Sequence, residues 1–280
     1  MITAGADIMS VYHAATTHSF YNGRVRRRHT PRAVLFDLDD TLFDHEQAAR
    51  AALTGVHGMH DVFTDWQFDA FEQAHSRVLE ELHLEVLAGG RTVDEAREAR
   101  FRRLFAAAGA DEDHERVRTT AVAYRDAYLA ARRPVEGALA VLAALKPHVR
   151  IAIVSNNLLA EQEGKMRLCG FDAYVDALVV SESVGVAKPD PGIFAHALAA
   201  LDCEAAEAVM VGDSWPADIE GARAAGIRAI WFNRSRRPAP AGSSAVCEVA
   251  SLVPMDAIMG AIFPDGGPTD LGIPLRCESA

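Results

Sequence analysis

The sequence lacks any paired-cysteine motif. Its four cysteines, Cys169, Cys203, Cys247 and Cys277, are scattered, and none forms a C-x-x-C pair. That spacing excludes a zinc ribbon and a thioredoxin-like redox site. Scattered cysteines in an enzyme-sized chain suit a reducing compartment, so a cytoplasmic location is expected. No apolar run is long enough to span a bilayer, so no membrane partner is expected. The basic cluster Arg24 to His29 comes late, and Pro31-Arg32 follows it where a secretory signal would carry an apolar segment. An excess of positive charge is also missing: 28 basic residues face 39 acidic ones, for a formal net charge of −11. Affinity for phosphate backbones comes mainly from lysine and arginine, so no nucleic-acid partner is expected. The short run Arg24-Val25-Arg26-Arg27-Arg28 reads as part of a solvated arm.

What is present is an ordinary globular composition, 50% hydrophobic and 24% charged over 280 residues. The length allows a sizeable core and one or two domains. Oligomeric state is left open. Residues 1–31 show no sustained periodicity and read as a flexible arm. The tetrapeptide Ala33-Val34-Leu35-Phe36 reads as a buried strand. Residues 46–133 then change character. Alanine, glutamate, arginine and leucine dominate at helical spacing, Thr92 and Glu95 form a capping-box pattern, and Gly89-Gly90 and Gly109 mark breaks. An inserted unit of about four helices is expected there. From Pro134 the pattern alternates. Helix Gly137 to Leu145 precedes strand Ile151 to Val154, and a helix ending at Gly170 precedes a strand near Leu178 to Val180. Helix Pro191 to Leu201 leads to strand Ala208 to Val211, and helix Asp218 to Ala225 leads to strand Arg228 to Trp231. Val246 to Val249 adds an edge strand and Pro254 to Ile262 a last helix, before a tail over 264–280. Alternation of this kind predicts an α/β fold, a Rossmann-like parallel sheet with helices on both faces. The core would comprise 32–45 and 134–263.

Open parallel sheets bind ligands beyond the carboxyl ends of their strands. Four constellations fall at such ends. The first is Asp37-x-Asp39-x-Thr41, whose side chains at alternate positions leave the strand on one side. Stacked carboxylates are costly unless a cation neutralises them, and a divalent metal does this well. The second, Ser155-Asn156-Asn157, offers a hydroxyl and free N–H groups to a phosphate. The third is Lys188, held in extended backbone by Pro189, with Asp190 and Pro191 opening a helix behind it. The fourth is Gly212-Asp213-Ser214-x-x-x-Asp218. Singly, each is also compatible with helix capping, a turn or a surface lysine. Jointly, at successive strand ends, they point to one site.

Together these motifs resemble the haloacid dehalogenase-like hydrolase superfamily, in the subgroup with a helical cap inserted after the first strand. The resemblance covers residues 33 to 262. It implies that Asp37 is the nucleophile that becomes an aspartyl-phosphate. It implies that Asp39 is the acid that protonates the leaving oxygen and the base that activates water. Magnesium would be held by Asp37, the Asp39 carbonyl and Asp213, with Asp218 supporting the metal site from behind. Thr41, Ser155 and Lys188 would hold the phosphate, Asn156 would assist through its backbone N–H, and Lys188 would also restrain Asp37.

The resemblance leaves several reactions open, because fold alone does not fix chemistry. A departing halide needs no proton, whereas an alkoxide does, so Asp39 favours phosphomonoester hydrolysis over dehalogenation. Asp39 would then need a raised pKa. The family's phosphonate hydrolases use a cap lysine, and residues 46–133 contain none. Family mutases more often carry glycine where this chain has Asp40. The implied substrate is a small phosphorylated metabolite, with a pyrimidine nucleoside 5'-monophosphate the single best expectation. A sugar-phosphate phosphatase, a phosphomutase and a non-catalytic phosphate-binding protein are the alternatives. Phe43, His45, Glu46, Trp66, His75 and Arg77 are candidates for specificity, though cap packing or a solvated face explains each of them better than substrate contact does. His57-x-x-His60-Asp61 offers too few ligands for a metal centre.

Overall fold

The computed structural model describes residues 30–111 and 113–266. The basic run and nearly all of the expected arm and tail lie outside them. The first strand, β1 (Ala33–Phe36), is wholly buried. Five helices follow: α1 (His45–His57), α2 (Asp61–Thr64), α3 (Phe68–Leu87), α4 (Val93–Ala107) and α5 (His114–Ala131). The chain then alternates through α6 (Ala138–Leu145), β2 (Arg150–Ser155), α7 (Leu159–Cys169), β3 (Ala177–Val180), α8 (Ser181–Val184) and α9 (Pro191–Ala200). It continues with β4 (Ala208–Gly212), a π-helical turn Trp215–Glu220, α10 (Gly221–Ala224), β5 (Arg228–Phe232), β6 (Cys247–Val249) and α11 (Asp256–Ile262).

The six strands form one sheet in the order β3-β2-β1-β4-β5-β6, and every neighbouring pair is parallel. This is the Rossmann-like α/β architecture expected from the alternation. Side chains of β1 alternate between two cores. Val34 and Phe36 face a cluster that includes Leu142 of α6, Met166 of α7 and Ile258 of α11. Ala33 and Leu35 face Ile193, Phe194 and Ala197 of α9 and Ile219 of the π-turn. Burial on both faces explains why the strands read as unbroken apolar runs.

The helical segment has a core of its own, centred on Phe63, Phe71, Phe101 and Phe105. Phe63 stacks on Phe105 with centroids 4.6 Å apart and lies 4.8 Å from Phe71. It contains one helix more than the four expected, because α2 is a single turn too short to show periodicity. Thr92 and Glu95 form the capping box at the start of α4. Gly89 and Gly109 both take positive φ, at +71° and +73°, where the chain leaves a helix.

The expected helix from Asp218 begins earlier, at Trp215. The Ser214 side chain accepts the Ala217 N–H, and Pro216, which has no N–H to satisfy, fits the first turn. Asp218 therefore sits inside the turn rather than at its start. No described helix is long and apolar enough to cross a membrane.

Phe63 is fully buried in the aromatic centre of the helical segment. Phe63→Ala is expected to cost about 3–5 kcal/mol. Urea denaturation followed by circular dichroism measures this, and a loss within error of zero would contradict a sealed second core.

Candidate active site

The carboxyl end of β1 meets those of β2 and β4, and the four constellations converge there. Lys188 is the hub. Its Nζ donates to Asp37 Oδ1 at 2.6 Å, to Asp218 Oδ1 at 2.6 Å and to the Val154 carbonyl at 2.8 Å. All three donor positions of the ammonium are used, and the lysine is buried. Burial alone would lower its pKa, but the Asp218 and Asp37 carboxylates outweigh burial and raise it. Asn156 fixes the loop that carries it. Its amide donates to the Lys188 carbonyl at 2.8 Å and its oxygen accepts the Lys188 N–H at 2.6 Å. The side chain of Asn156 is thus spent on Lys188, a role that its sequence position did not reveal.

Asp37, Asp213 and Asp218 bring carboxylate oxygens within 4.8 Å of one another. Burial raises Asp37 well above the usual carboxylate range, and Asp218 and Asp213 add to this against the opposing Lys188. Burial, then Asp218 and Asp40, push Asp213 up to about 7. Three acids so disposed, with one ammonium among them, hold more negative charge than their surroundings neutralise. Hard oxygen donors of this kind suit magnesium. Both oxygens of Asp218 are engaged, one by Lys188 and the other by the Ser214 N–H at 3.0 Å. Gly212 makes room for it. A Cβ there would lie 2.3 Å from Asp218 Oδ2, so the strand must end in glycine.

Thr41 Oγ1 is buried and has no hydrogen-bond partner. Ser155 Oγ, also buried, accepts Gln162 Nε2 at 2.6 Å. Thr41 follows β1 and Ser155 ends β2, and the buried Thr41 hydroxyl in particular lacks a partner.

Asp39 departs from expectation. Its carboxylate lies 2.5 Å from Lys165 Nζ and 2.9 Å from Gln162 Nε2, with Asn157 Nδ2 at 3.3 Å. Burial acts to raise it, yet the Lys165 ammonium and the His45 imidazole prevail and hold its carboxyl well below the usual range. The raised pKa expected of an acid is absent in this arrangement, because Lys165 forms a nearly buried ion pair with it. Lys165 and Gln162 were not foreseen. The chain's three lysines are Lys146, Lys165 and Lys188, and two of them meet this site. The available signal was the stripe Gln162, Lys165-Met166, Cys169 on α7, which places two polar side chains on an apolar face.

The chain enters and leaves the helical segment beside the site. Val135 N–H donates to the Leu42 carbonyl at 2.7 Å and Asp44 N–H to the Arg133 carbonyl at 3.1 Å. The buried Asp44 carboxylate accepts from Arg133 at 3.1 Å and from Arg234, beyond β5, at 2.9 Å. Asp40, in the turn before this crossing, has φ +60° and accepts the Glu46 N–H. Over the site lies a cavity of about 360 Å³, lined from below by Asp39 and Lys165 and from the helical segment by His45, Arg100, Tyr124 and Tyr128. Of the specificity candidates, His45 lines this cavity and bonds Tyr128 at 2.9 Å, and His75 is buried behind it. Arg77 is exposed. His57 and His60 bond the Trp66 carbonyl and Thr120, which is ordinary packing.

Comparison with known proteins shows what the chain is similar to. The chain is 30% identical to the pyrimidine 5'-nucleotidase YjjG of Escherichia coli, over 81% of this chain and 96% of that protein. It is 32% identical to a phosphoserine phosphatase of Thermus thermophilus, over 79% and 96% of the two chains. The fold matches that of the Bacillus subtilis HAD hydrolase YfnB, a structure solved with magnesium bound, at a TM-score of 0.64 and 24% identity, covering 82% of this chain and 99% of that one. A family model for haloacid dehalogenase-like hydrolases matches residues 31–226, and this chain belongs to that family.

Proposed function

We propose that the protein is a magnesium-dependent phosphomonoester hydrolase acting on a small phosphorylated metabolite through an aspartyl-phosphate on Asp37. The observation that carries this reading is the Asp37–Lys188–Asp218 triad, with Asp213 beside it. Magnesium would be held by Asp37, Asp213 and the Asp39 carbonyl, with Asp218 steadying Lys188 and the loop at Ser214. When bound, the ion supplies positive charge against the phosphoryl oxygens.

In the first step an Asp37 oxygen attacks phosphorus, an O–P bond forms and the ester P–O bond breaks. Lys188 keeps the attacking oxygen oriented. Thr41 and Ser155 donate to the non-bridging oxygens. Asp39 gives its proton to the departing oxygen, then takes one from the water that cleaves the acyl phosphate. The ionised Asp39 held by Lys165 corresponds to the second, water-activating half of this cycle. The helical segment would act as the cap that excludes bulk water. A cytoplasmic setting belongs to this reading, in keeping with Cys169 and Cys203 as thiols. The relatives' named substrates, a pyrimidine nucleotide and phosphoserine, are both candidates of suitable size.

Release of inorganic phosphate from p-nitrophenyl phosphate tests the reading. Activity is expected with magnesium and is expected to vanish in EDTA. Asp37→Asn is expected to remove turnover entirely; substantial residual phosphate release would reject Asp37 as nucleophile. Lys165→Met is expected to slow turnover about tenfold or more by loosening Asp39, since a positioned acid–base group contributes on the order of 10²–10⁴-fold.

The acidic cluster also sets a pH dependence. Asp37 and Asp213 bind protons more tightly in the folded, metal-free protein than in the unfolded chain. The stability this contributes is present at pH 4 and below, and is lost as pH rises toward about 7, where Asp213 titrates. Protons and cation compete for the same oxygens. Magnesium is therefore expected to raise the melting temperature more at about pH 8 than at about pH 5. Equal shifts at both values in thermal melts would contradict the cluster as the metal site.

A further inference from the structure

The cavity above Asp39 contains one cation that no acid answers. Arg97 pairs with Asp94 at 2.6 Å and with Glu161 at 2.7 Å, Arg125 lies 3.9 Å from Glu161, and Lys165 holds Asp39. Arg100 differs. It is buried, it lines the cavity, and no carboxylate among the described residues lies within ion-pair distance. Its Nη1 is 3.3 Å from His75 Nε2, its guanidinium carbon is 5.5 Å from the Tyr124 ring centroid, and its Nε has no hydrogen-bond partner. Burial and the Arg100 charge together hold His75 well below its usual pKa, so the imidazole is neutral and supplies no counter-charge. Arginine stays protonated in proteins. A buried, uncompensated guanidinium is costly, and a ligand anion that pairs with it relieves that cost.

A row of rings connects Arg100 to the reaction centre. His45 meets Tyr128, whose ring stacks on that of Tyr124 at 6.3 Å, and Tyr124 lies under Arg100. The guanidinium therefore lines the same cavity as Asp39, on the side of the helical segment.

We propose that Arg100 binds a second anionic group of the substrate, so that the enzyme selects small phosphomonoesters carrying a carboxylate or a second phosphate away from the scissile ester. This rests on the phosphatase reading and narrows it. It favours acidic metabolites over nucleoside monophosphates, whose bases are neutral. Arg100 was hidden in sequence by the charged run Asp94 to Arg103, in which it occupies the apolar stripe with Ala96 and Leu104.

Matched substrate pairs test the proposal on the unmodified enzyme. O-phosphoserine is compared with O-phosphoethanolamine, and 3-phosphoglycerate with glycerol 3-phosphate, for the carboxylate. Fructose 1,6-bisphosphate is compared with fructose 6-phosphate for the second phosphate. The partner carrying the second anionic group is expected to win by at least about tenfold in kcat/KM in one of the two arms, because sites built around a buried polar group reject analogues lacking its partner. Arg100→Gln is expected to erase that preference and leave p-nitrophenyl phosphate turnover within about threefold, an effect on specificity alone. Arg100→Lys, which keeps the charge, is expected to retain part of the preference and serves if the glutamine variant does not fold. No discrimination within any pair by an enzyme that hydrolyses p-nitrophenyl phosphate would overturn the proposal. So would a preference that survives Arg100→Gln, which would leave Arg100 with packing only. If the native enzyme releases phosphate from none of these esters, p-nitrophenyl phosphate included, the phosphatase reading fails instead, and calorimetric binding of the same pairs decides for or against the anion subsite.

Discussion

The arrangement depends on one buried ammonium shared between two buried carboxylates. Lys188 touches Asp37, Asp218 and the Val154 carbonyl, and so ties the ends of β1 and β2 to the turn after β4. Removing the ammonium would leave two carboxylates without their counter-charge in a dry interior, which is among the costlier defects a fold can carry. Other local choices follow from that centre. Gly212 exists to admit Asp218, and Asn156 exists to hold the backbone of Lys188. The site is over-determined from behind, and the buried Thr41 hydroxyl after β1 has nothing to bond.

A second ion pair, Lys165 with Asp39, stands next to the first and has a different character. It is made through a helix of the core rather than a strand-end loop, and it borders the cavity. The two aspartates of the D-x-D pair thus face opposite electrostatic surroundings two residues apart. Asp37 is pushed up by burial and by its acidic neighbours; Asp39 is pulled down by an ammonium. Separating two carboxylates in this way is how a single fold assigns them different work.

The parallel sheet was legible in the sequence because its strands are buried on both faces, and continuous apolar runs such as Ala208 to Val211 announce that directly. The strand-end residues were legible as a group for the same reason: a polar cluster right after an apolar run is conspicuous. The misreadings were of residues within helices. Gln162, Lys165 and Arg100 lie in charge-rich helical sequence, where a solvated face is the ordinary expectation and only tertiary packing turns them inward. The pKa of Asp39 was misjudged because its neighbours in space, Lys165 and His45, are not those in sequence. The sequence pattern places the helix start at Asp218, whereas the turn begins at Trp215 with Pro216 in its first turn.

The scarcity of lysine has a practical corollary. Lys165 and Lys188 have side chains only 4% and 3% exposed and locked in ion pairs, whereas Lys146 is 35% exposed on the opposite, amino-terminal end of the sheet, paired with Asp176. Amine-directed reagents therefore find a single accessible side-chain target in the folded protein. A dye or a surface linker attached to Lys146 stands on the far side of the sheet from the carboxylates, so immobilisation through that side chain orients the molecule with its chemistry facing solution.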